Sequence, residues 1–286
     1  METGPNFNTE ENLHADTVAE RHDSQREDDS QREAFVVIDF ETTDREPEKA
    51  HIVEWAAIVL YQPWFGVIQR ETLHGGLVKP PVPIPAETSA VHHIIDADVA
   101  GSPRWDDEQG KLAELLRPEG RIAVAHNAEF ERRLLARHGP MIVGGKVPWL
   151  CTYKAACRVW PDAPGHSNEI LRYHLGLGTG RSKRQATHSA LHDAQVTAAL
   201  LQELLKASTP IKDMLTWAEE PAMIPTCPLG DWRGKKWSEV DEGFLLWICR
   251  KISDRPDVVF CAKAELDRRD AERLDPATAW PFPKGT

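Results

Sequence analysis

Val36-Val37-Ile38-Asp39-Phe40-Glu41-Thr42-Thr43 carries an apolar, β-branched run straight into two carboxylates. Such a run reads as a buried central strand, and a spacing of two puts Asp39 and Glu41 on the same face of it. Desolvating an unpaired charge costs roughly several kcal/mol, so acids at the end of a core strand are normally paired or hold a metal. The stretch alone is also compatible with two acids facing solvent at a sheet edge. Convergence of further carboxylates on the same place separates the two readings.

Outward from this strand, Ile52–Tyr61 (IVEWAAIVLY) is a second strand, interrupted by Glu54, and residues 77–82 close a third before Pro80, Pro81, Pro83 and Pro85 end regular pairing. Helical spacing marks residues 86–94 and 105–116, a short buried strand 122–125, and a helix 128–137 with Asn127 at its N-cap position. Residues 148–151 read as a last strand, 152–160 and 168–175 as short helices, and 189–205 as a long helix capped by Ser189. The expected fold is α/β, a mixed five-stranded sheet flanked by helices over residues 35–206. Proline spacing makes 207–225 a linker, and 226–286 a small Trp-rich α+β module with a hairpin over 229–237 and helices over 242–251 and 256–273.

Residues 1–34 are polar and repetitive (Asp23-Ser-Gln-Arg-Glu27, Asp29-Ser-Gln-Arg-Glu33) and are expected to be a disordered acidic tail. They hold ten acids against three arginines, a net of -7 out of the chain's -11, and leave 35 acids against 31 bases elsewhere. Whole-chain acidity therefore does not exclude a phosphate-bearing substrate, since ions bound at a carboxylate site would offset the local charge. No stretch approaches a membrane span and no secretory signal is evident, so a cytoplasmic location is expected. Five cysteines with no C-x-x-C pair argue against a disulfide framework or a zinc ribbon, and read as reduced thiols.

Two further clusters contain candidate chemistry. His126-Asn127-Ala128-Glu129-Phe130-Glu131 is a strand-to-helix corner with acids in the first helical turn, where the helix dipole favours them anyway. His188-Ser189-Ala190-Leu191-His192-Asp193 sets a histidine just before the long helix and an acid one turn inside it. Taken together, the three clusters resemble the DEDD-type 3'-to-5' exonucleases of the ribonuclease-H-like fold, in the subclass with a catalytic histidine. Asp39-Phe-Glu41 matches the first motif, His126-Asn-Ala-Glu-Phe-Glu131 the second and His188-x-x-x-x-Asp193 the third. Ser189 stands where the tyrosine subclass would need Tyr. Within the family the likeness is greatest to the exonuclease X group, reaching Val91-His92-His93-Ile94, Cys151-Thr-Tyr-Lys-Ala155 and Leu229-Gly-Asp-Trp-Arg-Gly-Lys235.

The resemblance implies metal-dependent 3'-to-5' hydrolysis of DNA, at single-stranded 3' ends, to nucleoside 5'-monophosphates. It implies two Mg²⁺ or Mn²⁺ ions held by Asp39, Glu41, Glu131 and Asp193, with His188 as general base. Phe40, Thr42, His92 and Phe130 would line the terminal-nucleotide pocket, and Arg181, Lys183 and Arg184 would hold the strand's backbone. Glu131 departs from the family's Asp by one methylene. Two alternatives stay open: a ribonuclease trimming RNA 3' ends, and a catalytically weakened nucleic-acid-binding or partner-docking protein. The C-terminal module, with Arg233, Lys235 and Lys236 among Trp232 and Trp237, reads either as a single-strand platform or as a small core built from aromatics. It and the acidic tail are the segments open to a protein partner.

Overall fold

The computed structural model describes residues 34–61, 69–117, 120–139, 147–178 and 189–274. Its centre is a five-stranded sheet of β1 (Ala34–Thr42), β2 (Ile52–Tyr61), β3 (Gln69–Leu77), β4 (Arg121–Ala125) and β5 (Trp149–Cys151), in spatial order β3-β2-β1-β4-β5. The first three strands pair antiparallel, while β4 runs parallel to β1 and β5 parallel to β4. The mixed, helix-covered sheet expected from the sequence is therefore present. Ala34, assigned to the tail, is the first residue of β1, and the rest of the tail lies outside the described residues.

Alternation along β1 divides the core in two. Val36, Ile38 and Phe40 point to one face, against α2 (Trp105–Leu116) and α3 (Ala128–His138). Phe35 and Val37 point to the other, against α6 (Ala190–Lys206). Ala190, Ala194 and Ala198, four apart, let α6 lie close on the sheet, and Leu201 and Leu204 complete the contact. Asp39 and Glu41 continue the α6 series, so the alternation that buries the strand also aims both acids at the start of α6. Three shorter helices complete the cover: α1 (Ala86–His92), α4 (Thr152–Val159) and α5 (Asn168–His174).

Two expectations are corrected. Within residues 207–225, expected as a linker, α7 (Ile211–Glu219) lies against β5 and α4 and packs its buried Met214 into the core on that face of the sheet. Lys154 Nζ donates to Ala218 O at 2.8 Å and Glu220 O at 2.6 Å, and the Arg158 guanidinium lies 5.2 Å over the Trp217 ring. Proline marked the entry to a helix here, since Pro210 supplies its N-cap backbone geometry. The hairpin expected over 229–237 is instead a pair of 3₁₀ turns, Gly230–Trp232 and Trp237–Glu239, joined to the preceding chain by one isolated bridge between Thr226 and Lys236. The helices α8 (Glu242–Lys251) and α9 (Pro256–Leu274) do form. Among the described residues the C-terminal segment thus contains no strand, and its core is Cys227, Trp237, Val240, Leu245, Ile248, Val258, Cys261 and Ala262. All five cysteines are free thiols.

Candidate active site

Three strands of evidence from the sequence meet at the carboxyl end of β1. Asp39, Glu41 and Asp193 each offer a carboxylate oxygen within 4.8 Å of the others. Asp193 reaches them from the first turn of α6, which Ser189 begins: its Oγ accepts from His192 N at 3.3 Å. Asp39 is held well above the usual carboxylate range, first by burial and then by repulsion from Asp193, Glu131, Glu41 and Glu54. Burial, with Asp193 and Glu54 adding to it, pushes Glu41 up to about 8.

Glu131 comes from α3, one turn in from the corner that His126 and Asn127 make. Asn127 adopts a left-handed conformation (φ 95°, ψ 50°), which Asn tolerates better than most residues, and its side chain makes no cap hydrogen bond. It occupies the expected N-cap position and serves by its backbone instead. His126 is pinned behind the corner: Nε2 donates to His166 O at 2.8 Å, which leaves Nδ1 to accept from Thr152 Oγ1 at 3.0 Å. Burial drives its pKa down to about 4, so it is a neutral strut. Glu131 itself is 6% exposed, and burial raises its pKa to about 8. Its Oε2 is buried without a hydrogen-bond partner. Three clustered carboxylates, of which Asp39 and Glu41 retain protons, with the orphaned Glu131 oxygen close enough for its charge to be felt at Asp39, fit hard divalent cations, which take carboxylate oxygen as their preferred donor.

The remaining predicted residues separate. Thr42 lies at the end of β1, where its Oγ1 donates to Asp44 O at 2.8 Å. His92 is brought to the Thr42 backbone, buried, with Nδ1 accepting from Ile94 N at 3.1 Å and its pKa lowered by burial. Phe130 is half-buried against the core on the α3 side. Phe40 is corrected: its place between Asp39 and Glu41 turns it to the opposite face, where it is 6% exposed and meets Trp105 edge-on at 5.8 Å. His188, Arg181, Lys183 and Arg184 lie outside the described residues.

Two features were not read from the sequence as part of the site. Glu54, opposite Glu41 in the β1–β2 register, adds a fifth acid, and its Oε2 accepts from Ala190 N at 2.9 Å. Its signal was present, since a charge interrupting an apolar strand needs a partner. Glu169 on α5 is the other. Its Oε1 accepts from the buried His192 Nε2 at 2.7 Å, and Arg172 holds the same carboxylate from one turn further along. This ties α5 to the turn that carries Asp193.

Comparison with known proteins agrees with this geometry. The family model described as Exonuclease matches residues 36–201. The chain belongs to that family. It is a 3'-to-5' exonuclease of the type with three acidic motifs and a histidine, and hence a phosphodiester hydrolase. This exonuclease is 33% identical over 196 residues to exodeoxyribonuclease 10 of Escherichia coli K12, covering 67% of the chain and 83% of that protein. It is 28% identical over 174 residues to the DNA polymerase III subunit epsilon of Aquifex aeolicus, covering 60% of the chain and 80% of that subunit. Among solved structures, exonuclease X in complex with 5' overhanging duplex DNA superposes with a TM-score of 0.51 at 29% identity, covering 64% of this chain and 99% of that one.

Proposed function

We propose that this exonuclease removes nucleotides from 3' ends of DNA, preferring single-stranded ends, and releases nucleoside 5'-monophosphates. The observation that carries the reading is the meeting of Asp39, Glu41 and Asp193 within 4.8 Å, with the buried, partnerless Glu131 oxygen beside Asp39. Asp39, Glu41, Glu131 and Asp193 would hold two Mg²⁺ or Mn²⁺ ions, which when bound supply positive charge to the attacking water and to the departing 3' oxygen.

The chain's own groups set the rest. Asp39, which feels the charge of all the other acids, would be the shared ligand. Glu41 and Asp193 lie within 4.8 Å of it, and Glu131 is supplied by α3. His188, five residues before Asp193, is the general base that takes the water's proton, a task suited to an imidazole with an unperturbed pKa near neutrality. Thr42 and His92, together at the end of β1, and Phe130 on α3 would receive the terminal nucleotide. Arg181, Lys183 and Arg184 would meet the phosphates leading to it.

The DNA preference rests on the likeness to exodeoxyribonuclease 10 and exonuclease X. Purified protein with Mg²⁺ or Mn²⁺, offered matched DNA and RNA oligonucleotides labelled at either end, tests the whole reading. Stepwise loss of the 3' label from DNA, with 5'-monophosphate products, is expected. Faster loss from RNA would overturn the substrate, and hydrolysis persisting in EDTA would overturn the mechanism.

A further inference from the structure

The C-terminal segment lies beyond residues 36–201, the part that the exonuclease family accounts for. Its tryptophans are used in different ways. Trp237 belongs to its core: it is 8% exposed and its Nε1 donates to Ile224 O at 2.6 Å. Trp247 does not. It is 45% exposed on the outer side of α8, while Leu245 and Ile248 of the same helix face the core. Its ring stacks on Phe244 (centroids 5.3 Å apart, 18° between planes), and Phe244 in turn lies 6.5 Å from Trp232. The three rings therefore make one continuous strip, in which Trp232 and Phe244 are half-buried against the segment's core and Trp247 is the exposed end.

The charges around this strip are sorted. Arg250 and Lys251 follow Trp247 at helical i+3 and i+4 spacing and so lie next to it, and Arg233 and Lys235 follow Trp232 in the chain. Among the described residues none of these four cations is in an ion pair, although all are exposed. The arginines of α9 differ, since Arg268, Arg269 and Arg273 are taken up by Glu265, Glu272, Glu242 and Asp270. Acids near the strip are likewise engaged: Asp241 caps α8 by accepting from Phe244 N, Glu239 accepts from Lys236 N, and Glu242 pairs with Arg273. Asp231 is the acid beside the strip without such a bond among the described residues.

We propose that this strip is a second DNA-binding surface, on which single-stranded substrate rests upstream of the 3' end being cut. Bases would stack on the exposed Trp247 ring and along Phe244 and Trp232, and phosphates would meet Arg250, Lys251, Arg233 and Lys235. Stacking rings flanked at both ends by available cations suit a flexible polyanion with flat bases better than an apolar protein face. The inference extends the proposed activity by giving the enzyme a hold on longer strands, but the binding surface itself can be tested without catalysis.

The test uses the full chain and two variants, Trp247→Ala and the pair Arg250→Glu with Lys251→Glu. Their folding is checked by thermal melts, with Trp247→Phe as the conservative control. Fluorescein-labelled oligothymidylate tetramers and twenty-mers are titrated by anisotropy in EDTA over a range of salt, and KM for both lengths is measured with Mn²⁺. Trp247→Ala should weaken twenty-mer binding about tenfold, and Trp247→Phe should recover most of it. The charge-reversed pair should flatten the salt dependence by about one to two phosphate contacts. In both variants the KM advantage of the twenty-mer over the tetramer should shrink. Unaltered twenty-mer affinity and salt slope in both folded variants would overturn the inference. A wild type that hydrolyses neither length, yet loses the twenty-mer on Trp247→Ala, would overturn the proposed activity and leave the surface standing.

Discussion

Asp39 is buried under the repulsion of four other acids, and that fact has consequences even without metal or substrate. An acid whose pKa is higher in the folded than in the unfolded protein costs nothing below its unfolded value. It destabilises the fold increasingly as pH rises to its folded value. For Glu41 and Glu131 that window runs from the ordinary 4.5 to about 8. Metal-free protein should therefore melt at a lower temperature near the top of this window than near the bottom, and Mn²⁺ should narrow the gap, as melts in EDTA and in Mn²⁺ at both ends will show. Asp39→Asn, or Asp193→Asn, should raise the melting temperature of the metal-free protein at the upper end while cutting turnover on the order of 10³-fold. Near-normal turnover in either variant would remove the basis of the mechanism. Glu131 differs from the family's Asp, but its buried, unpaired oxygen beside Asp39 points to a ligand accommodated at its longer reach. Glu131→Gln should then be as damaging as losing any other ligand, and Glu131→Asp should stay within about tenfold of wild type, judged against the general sensitivity of catalytic groups to small displacements. A clear gain of rate in Glu131→Asp would mark the native residue as a defect.

Helix α6 carries Asp193 into the site, and its first turn is fastened from two directions. Ser189 Oγ accepts from His192 N, and Glu54 Oε2 reaches from β2 to accept from Ala190 N. Ser189→Ala should cost about 1 kcal/mol of stability, the usual value for a lost N-cap. Glu54 is the more informative residue, because its acid both anchors the helix and adds to the repulsion on Asp39 and Glu41. If anchoring is its main task, Glu54→Gln keeps an acceptor for Ala190 N and should retain turnover within a few-fold. Glu54→Ala should lose about 1–3 kcal/mol of stability together with much of the rate, since a hydrogen bond to a charged group is removed. Measured stability and kcat for the two variants separate the roles, and equal losses in both would mean that the charge, not the hydrogen bond, is what the site needs.

Over the whole molecule, α7 changes where the chain can be divided. Its Met214 is fully buried in the core shared with β1, β2 and α6, and Lys154 and Arg158 of α4 hold its far end. A chain ending at residue 207 should therefore be destabilised by several kcal/mol, at about 1.5–3 kcal/mol for each large side chain left without cover. A chain ending at residue 220 keeps these contacts and should remain folded, with its loss showing in DNA affinity. Melting curves of the two truncations, beside that of the full chain, check the difference. Equal melting temperatures for the two would show that α7 contributes little.

The sequence alone was sufficient for the mixed five-stranded sheet and for the helices up to α6, but it passed over α7. Strand periodicity and burial constrain one another, and Asp39 and Glu41 must share a face whatever surrounds them. It was also sufficient for the family, through three short motifs whose spacing is set by the strand-to-helix corners that present them. Alternation already turned Phe40 away from Asp39 and Glu41; what it did not show is that Trp105 of α2 closes over that opposite face, which is decided by packing of distant segments. Nor did it show that Glu54 belongs to the site: an acid on a strand finds its partners across the register and from a helix 136 positions away. The Pro-rich stretch misled for a local reason, since Pro210 starts a helix as readily as it ends a strand, and only burial of Met214 decides which. In the C-terminal segment Trp237 and Trp247 look alike along the chain. Tertiary packing alone determines that one is enclosed and the other is turned to the surface, because each helix face finds its environment only when its neighbours arrive.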